Sequence, residues 1–576
     1  MSQFDSLVNE FLEHEFETMP VMASQLGLTA YDGALDDLSA AAMQQRDTDA
    51  EAWHARFSGV ADAELTPNEQ IDRDLAIAML RGRTIVADWE GWKRDPVTYS
   101  GICLSGIFTL WLHRLRPEHD LVESTLLRLA EIPRALAQGK ANLDPTLAHP
   151  LIVERGIGSA RGGARYLRDL LHQEVTDGSD RGRVDQAGGK AADAFDDWAV
   201  HLETVAKQAS GTWVFGEERY SRLLREKENL TFDARSLREM GQKEYDRLDA
   251  EMRVLALRIR GTEDWRAVIE EANNDHPRSE EGMRDAYEVW TERARDFLAE
   301  TGLVTLPEGE RCLVEPSPVF QRPLIGVASY IGPPAFSDST VGHFFVPFAP
   351  DGAPDEEKQE RLKSNSNGGI PTTSVHEAYP GHHWHIVMRR LYAERIRRVY
   401  GTPYFTEGWA LYAERLMRER GFFSEPIHEL YHLEATIFRA ARIIVDTSLH
   451  LGEMSYDDAV QFMVAKSGLP EVTARAEVGR YCWWPTQASA YLTGCLEILR
   501  IRDRWLAARG LGDVPRKDLD ADVLREFHDA LATSGALPLG LAERAVMGAA
   551  AVGGPGAVGG PGAAGGPAAS GSAAAG

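Results

Sequence analysis

Cysteine is scarce in this chain: four residues among 576, Cys103, Cys312, Cys482 and Cys495. None stands in a C-x-x-C pair, which removes zinc ribbons and dithiol redox sites, and scattered thiols do not make a disulfide framework. Basic charge is in deficit too. The 62 Lys and Arg against 88 Asp and Glu leave a net charge of -26, which repels phosphate backbones and anionic lipid, so neither nucleic acid nor membrane is an expected partner. Long apolar runs are missing, since nothing approaches the ~20 apolar residues of a membrane span. The stretch Met1 to Glu10 lacks a basic segment followed by an apolar one, so no secretory signal and a cytoplasmic location are expected.

What is present is ordinary for a globular protein: 43% hydrophobic and 26% charged residues. Apolar positions recur three and four apart up to about residue 300, as in Leu121 to Ala130 and Leu237 to Leu257, which predicts a helical scaffold. Polar and Gly-rich stretches, Asp177 to Gly182 and Gly188-Gly189, read as breaks between helices. Between about 303 and 350 the pattern changes. Pro and Gly punctuate short β-branched and aromatic runs, Cys312 to Glu315, Leu324 to Tyr330 and Gly342 to Phe348, which predicts a small sheet. A free sheet edge beside a catalytic site is a common place for an extended substrate.

Strong helix returns after 384, with Ser455-Tyr456-Asp457-Asp458 as a capped start ahead of Ala459, Val460, Phe462 and Met463. From Ala545 onward there is little but Ala, Gly, Pro and Val, a composition that cannot build a core. The expected organisation is mainly α. One unit covers 1–545, with a helical scaffold over 1–302 and the sheet and catalytic part over 303–545, followed by a disordered tail at 546–576.

The chemistry sits in His376-Glu377-Ala378-Tyr379-Pro380-Gly381-His382-His383. Zinc hydrolysis of an amide needs two or three imidazoles or carboxylates on the metal, an open position for water, and a carboxylate to take that water's proton. In an H-E-x-x-H helix the two histidines lie one turn apart on one face. Here His382 and His383 come six and seven residues after His376. Seven residues of unbroken helix advance about 10 Å, too far for two ligands of one ion, so the helix must bulge or break. Pro380 removes a backbone donor and Gly381 relaxes φ, which lets His382 return to the place of an i+4 ligand. His382 is the preferred ligand and His383 the alternative.

Thr406 to Glu414 offers two carboxylates seven residues apart on one helix face, Glu407 and Glu414. Glu407, beside side-chain-free Gly408, is the chosen third ligand, and Glu414 the partner of a histidine or, in the alternative, itself a ligand. Trp409, Tyr412 and Leu416 read as core. Four histidines in ten residues, His376, His382, His383 and His385, with Glu377 beside the first, favour a catalytic metal over a set of satisfied core histidines.

Three ordered motifs now carry a resemblance: His376-Glu377-x-x-Pro380-Gly381-His382-His383, Glu407-Gly408-Trp409-Ala410-Leu411-Tyr412-Ala413-Glu414, and Arg480-Tyr481-x-x-x-Pro485-x-Gln487-Ala488-x-x-Tyr491. Together with the Gly211 to Tyr220 segment and Asp446-Thr447-Ser448-Leu449-His450, they resemble the bacterial family 885 of domains of unknown function, regarded as distant relatives of the gluzincin metallopeptidases. The resemblance implies a large helical fold with a deep central channel and one zinc ion held by two His and one Glu. It also implies a late Tyr that hydrogen-bonds the oxyanion, with Tyr481 and Tyr491 as candidates. Thr486 departs from the family pattern, standing where many members carry Gly.

Arg480 is the candidate for binding a substrate carboxylate; His450 has no assigned role. The expected function is zinc-dependent hydrolysis of peptide or amide bonds, with short peptides as substrates and Glu377 as the general base. A dedicated amide hydrolase for a peptide-like metabolite uses the same site. A binding protein without turnover is the reading of another class. The N/O donor set suits zinc, and also Mn, Fe or Co.

Overall fold

Helices begin where the sequence supplies caps. Ser2, Thr66 and Asp233 each accept from the backbone N–H three residues on, and Asp5, Glu69 and Ser236 answer them, so that capping boxes open helices Gln3–Thr18, Pro67–Ala87 and Ala234–Arg260. Ser455 caps Tyr456–Ser467 through Asp458, at the position expected from sequence. The computed structural model describes residues 2–318, 322, 326–350 and 352–552. Among the described residues the fold is mainly helical with one three-stranded sheet, and no helix is long and apolar enough to cross a membrane.

Two apolar cores organise the helices. Val97–His113, Glu118–Asn142, Pro150–Arg165 and Gly178–Ala206 share one, with Tyr99, Phe195 and Trp198 fully buried. The earlier helices Gln3–Thr18, Ala40–Ser58 and Pro67–Ala87 pack into the larger core, which also holds the motif helices. The N-terminal scaffold is therefore divided between two cores.

Two boundaries differ from the sequence reading. The Gly-rich stretch from 178 to 189 is no break, because Gly178–Ala206 runs through it, opened by Asp177, whose carboxylate accepts from Ser179 and Asp180. Gly188 is there for packing: a Cβ would stand 2.5 Å from the Leu167 carbonyl oxygen. The last helix, Leu539–Val552, passes the boundary expected at 545, with Val546 buried in the core. The expectation of a disordered tail falls, from residue 553 on, outside the described residues.

The sheet has strands Arg311–Pro316, Ser329–Ile331 and Val341–Val346, with the last in the middle. It pairs parallel with Arg311–Pro316 and antiparallel with Ser329–Ile331. Part of the expected run from Leu324 lies outside the described residues. The sheet packs against the helix that begins at His382, through Tyr330 and His383.

Candidate metal centre

The helix carrying His376 and Glu377 stops at Glu377, and a second helix starts at His382. Ala378 leaves helical geometry at φ -111°, ψ -84°, Pro380 has no N–H to continue the ladder, and the Tyr379–Pro380 peptide is cis. Gly381 lets the chain fold back on itself: a Cβ there would lie 1.9 Å from the His376 carbonyl oxygen and 2.3 Å from that of Val375. The freed Pro380 carbonyl accepts from the Trp409 indole at 2.7 Å, so Trp409, fully buried, ties the loop to the Glu407 helix. Trp384 stacks on Trp409 with ring centres 5.3 Å apart.

This break brings His382 back to His376. Their ring centres are 4.9 Å apart with planes at 89°, and Glu407, from helix Pro403–Glu419, faces both. Glu407 Oε2 stands 3.4 Å from His382 Nε2 and 3.8 Å from His376 Nε2. One ligand atom from each of the three lies within 4.8 Å of the others. Two ligands of a tetrahedral zinc ion at its usual bond lengths are about 3.4 Å apart. The spacing and the N/N/O donor set fit a divalent transition ion.

Glu414 completes the support. His376 Nδ1 donates to Glu414 Oε1 at 2.7 Å, and the other oxygen meets His432 Nδ1 at 3.1 Å. Glu414 is thus partner to two histidines and sits behind the cluster. Burial pushes the His376 imidazole down, but Glu407 and Glu414 outweigh it and hold it at about 9 when no metal competes. Burial also raises Glu377 above the usual carboxylate range, against the pull of His376 and His382, as suits a base working near neutrality.

His383 points elsewhere. Its Nε2 bonds Glu310 at 2.8 Å and its Nδ1 bonds the Tyr330 hydroxyl at 2.8 Å, so both ring nitrogens are spent. Tyr379 also donates to Glu310, and Arg295 reaches it at 2.8 Å. Glu310 therefore clamps the loop between the two histidine-bearing helices; sequence reading missed it because it lies far upstream. His385 is fully buried against Phe405 and Trp409, and burial keeps it neutral. Gly408 does not make room for a metal. It faces Gly494 of helix Ala490–Ala508, where a Cβ would meet that backbone at 2.6 Å, and this close crossing sets the height of Glu407.

The late motif divides. The buried Tyr481 hydroxyl donates to Glu477 at 2.7 Å and accepts from Arg442 at 3.0 Å. Arg480 spends its guanidinium on Glu477, at 3.0 Å, and on Gln487. Both belong to one polar network, which Gln487 links to Tyr491. Burial, and after it the charge of Glu407, raises the Tyr491 hydroxyl above its ordinary range. Its hydroxyl accepts from Gln487 at 3.2 Å and keeps its own proton to donate. His450 and Asp446 are buried with Tyr220 and Ser489, tying the 211–220 segment to the core.

The family's sequence profile, described as bacterial proteins of unknown function, matches residues 20–546. The chain belongs to the DUF885 family. Two solved structures share the DUF885 fold seen here. A "putative lipoprotein of unknown function" from Shewanella oneidensis is 20% identical, with a TM-score of 0.76 over 95% of this chain and 100% of that one. A "putative lipoprotein" from Colwellia psychrerythraea is 19% identical, with a TM-score of 0.78 over 95% and 99%. No curated protein matches this DUF885 chain.

Proposed function

We propose that this protein is a zinc-dependent hydrolase of peptide or amide bonds, acting on short peptides. The observation that carries the reading is the convergence of His376 Nε2, His382 Nε2 and Glu407 Oε2 with Glu377 next in sequence to one of them. Three donors rather than four meet among the described residues, the pattern of a catalytic site with a position left for water.

When bound there, zinc supplies Lewis acidity and lowers the pKa of water toward neutrality. Glu377 takes the proton of the attacking water and returns it to the leaving amine, so that water adds across the C–N bond. Tyr491 donates to the carbonyl oxygen as charge develops on it. Glu414 holds His376 in the tautomer whose Nε2 is free. Kinship with the gluzincins and a channel leading to the cluster belong to the same proposal.

Elemental analysis paired with a peptide-library assay tests it. The expected result is close to one zinc per chain, lost in His376→Ala, His382→Ala and Glu407→Ala. Glu377→Gln keeps the zinc and loses about 10²- to 10⁴-fold in turnover. Zinc without any Glu377-dependent cleavage would leave a metal-binding protein and defeat the hydrolase reading.

A further inference from the structure

Helix Pro426–His450 is buried along most of its second half, but Glu434, Ala435, Phe438 and Arg439 form a partly exposed stripe on one face. That stripe borders the metal cluster. His432, which bonds Glu414, precedes Arg439 by seven residues, about two turns along the same helix. The Arg439 guanidinium lies 5.7 Å from the ring centre of Tyr491, and its charge is felt at Glu377, Glu414 and Glu434. It therefore stands beside the proposed oxyanion donor Tyr491, on the helix whose His432 supports Glu414.

Its neighbours are held in direct ion pairs and, among the described residues, it is not. Arg442 pairs with Glu477 at 2.7 Å, and Arg480 with Glu477 and Gln487. Arg439 gives one N–H to the Ala435 carbonyl of its own helix at 2.9 Å, and among the described residues its buried Nε has no partner and it makes no ion pair. Its outward N–H groups, on a part-exposed face and bonded to no carboxylate among the described residues, are open to an arriving acceptor. Its planar fork suits a carboxylate, and the Glu377, Glu414 and Glu434 carboxyls around it disfavour a more highly charged anion such as a phosphate.

We propose that Arg439 binds the free C-terminal carboxylate of the substrate, so that the protein cleaves short peptides or N-acyl amino acids within one or two residues of that end. The cleavage rests on the hydrolase reading above; the carboxylate site does not. Arg439 then takes the part that the sequence suggested for Arg480.

Titration calorimetry on the metal-free protein, with N-benzoylglycine and N-benzoylglycinamide as probes, tests the site without a metal to bind the carboxylate. We expect the acid to bind at least about ten-fold more tightly than the amide, with the difference gone in Arg439→Gln and partly kept in Arg439→Lys. Equal affinities, no binding of the acid, or a preference that survives Arg439→Gln overturns the proposal. The acid-against-amide comparison on the unmodified protein needs no variant to fold. On the zinc-loaded enzyme, kcat/KM for N-blocked dipeptides should favour the free acid over the C-terminal amide by about 100-fold or more. Cleavage of both forms alike sinks this inference and leaves the hydrolase standing; acid-selective binding with no cleavage does the reverse.

Discussion

His376 Nδ1 donates to Glu414 Oε1 across 2.7 Å, and this hydrogen bond decides which ring nitrogen is free. An ionised carboxylate only accepts, so Nδ1 keeps its proton, and Nε2, which faces Glu407 and His382, is the nitrogen a metal would take in place of a proton. Glu414 itself is fully buried and held well below the usual carboxylate range by its two histidines, in spite of burial.

Glu414→Gln should therefore weaken zinc binding about 10- to 100-fold without removing a ligand. Competition with a chelator of known affinity measures it. An unchanged affinity would mean that the His376 orientation is held by packing alone.

The two adjacent histidines should separate cleanly. His382→Ala loses zinc but keeps the melting temperature of the metal-free protein, because its side chain is part-exposed and its ring faces the cluster. His383→Gln keeps zinc and costs about 2–4 kcal/mol of stability, because it disturbs a buried network with Glu310 and Tyr330. Metal content of the folded fraction and calorimetric unfolding read both, and the opposite pattern would exchange the two assignments.

Acid should loosen the fold through His528. This side chain is fully buried between the Tyr412 hydroxyl, 2.7 Å from Nε2, and the Leu303 carbonyl, 2.8 Å from Nδ1. Burial drives its pKa down to about 3, from 6.5 in the unfolded chain. A depressed value favours the fold above pH 6.5, and that contribution, on the order of a few kcal/mol, is lost as pH falls from 6.5 toward 3. In His528→Gln the melting temperature should be lower at pH 7 and fall less steeply toward pH 4. A slope equal to that of the unmodified protein would exclude His528 as the acid-sensitive group.

Thr486 holds φ at +71°, left-handed backbone that a β-branched residue rarely adopts. Thr486→Gly should relieve about 1–2 kcal/mol of strain, partly offset by the unfolded-state entropy of glycine at about 0.5–1 kcal/mol. The expected outcome is a melting temperature higher by on the order of a degree, with zinc content unchanged. A clear drop would show that the Thr486 side chain contributes more by packing than its backbone costs.

Much of the fold is legible in the sequence, and the legible parts share one trait: they are local. The Ser455 cap, the sheet between 303 and 350, and the break at Pro380-Gly381 each follow from a few consecutive residues meeting the steric and hydrogen-bonding rules of the backbone. Spacing and donor type single out His376 with His382 or His383, and Glu407 or Glu414, without choosing within either pair. Other questions turned on residues that arrive from far along the chain. Gly188 sits inside a helix because the Leu167 carbonyl presses on it, and Gly408 because Gly494 does. His383 differs from His382 only because Glu310 and Tyr330 claim its nitrogens. Arg480 and Arg439 look alike in sequence, but Glu477 and Gln487 satisfy the first and no carboxylate among the described residues pairs with the second. Backbone geometry is written residue by residue, whereas the fate of a donor depends on which acceptors the packed helices bring within reach, and only the assembled chain sets that.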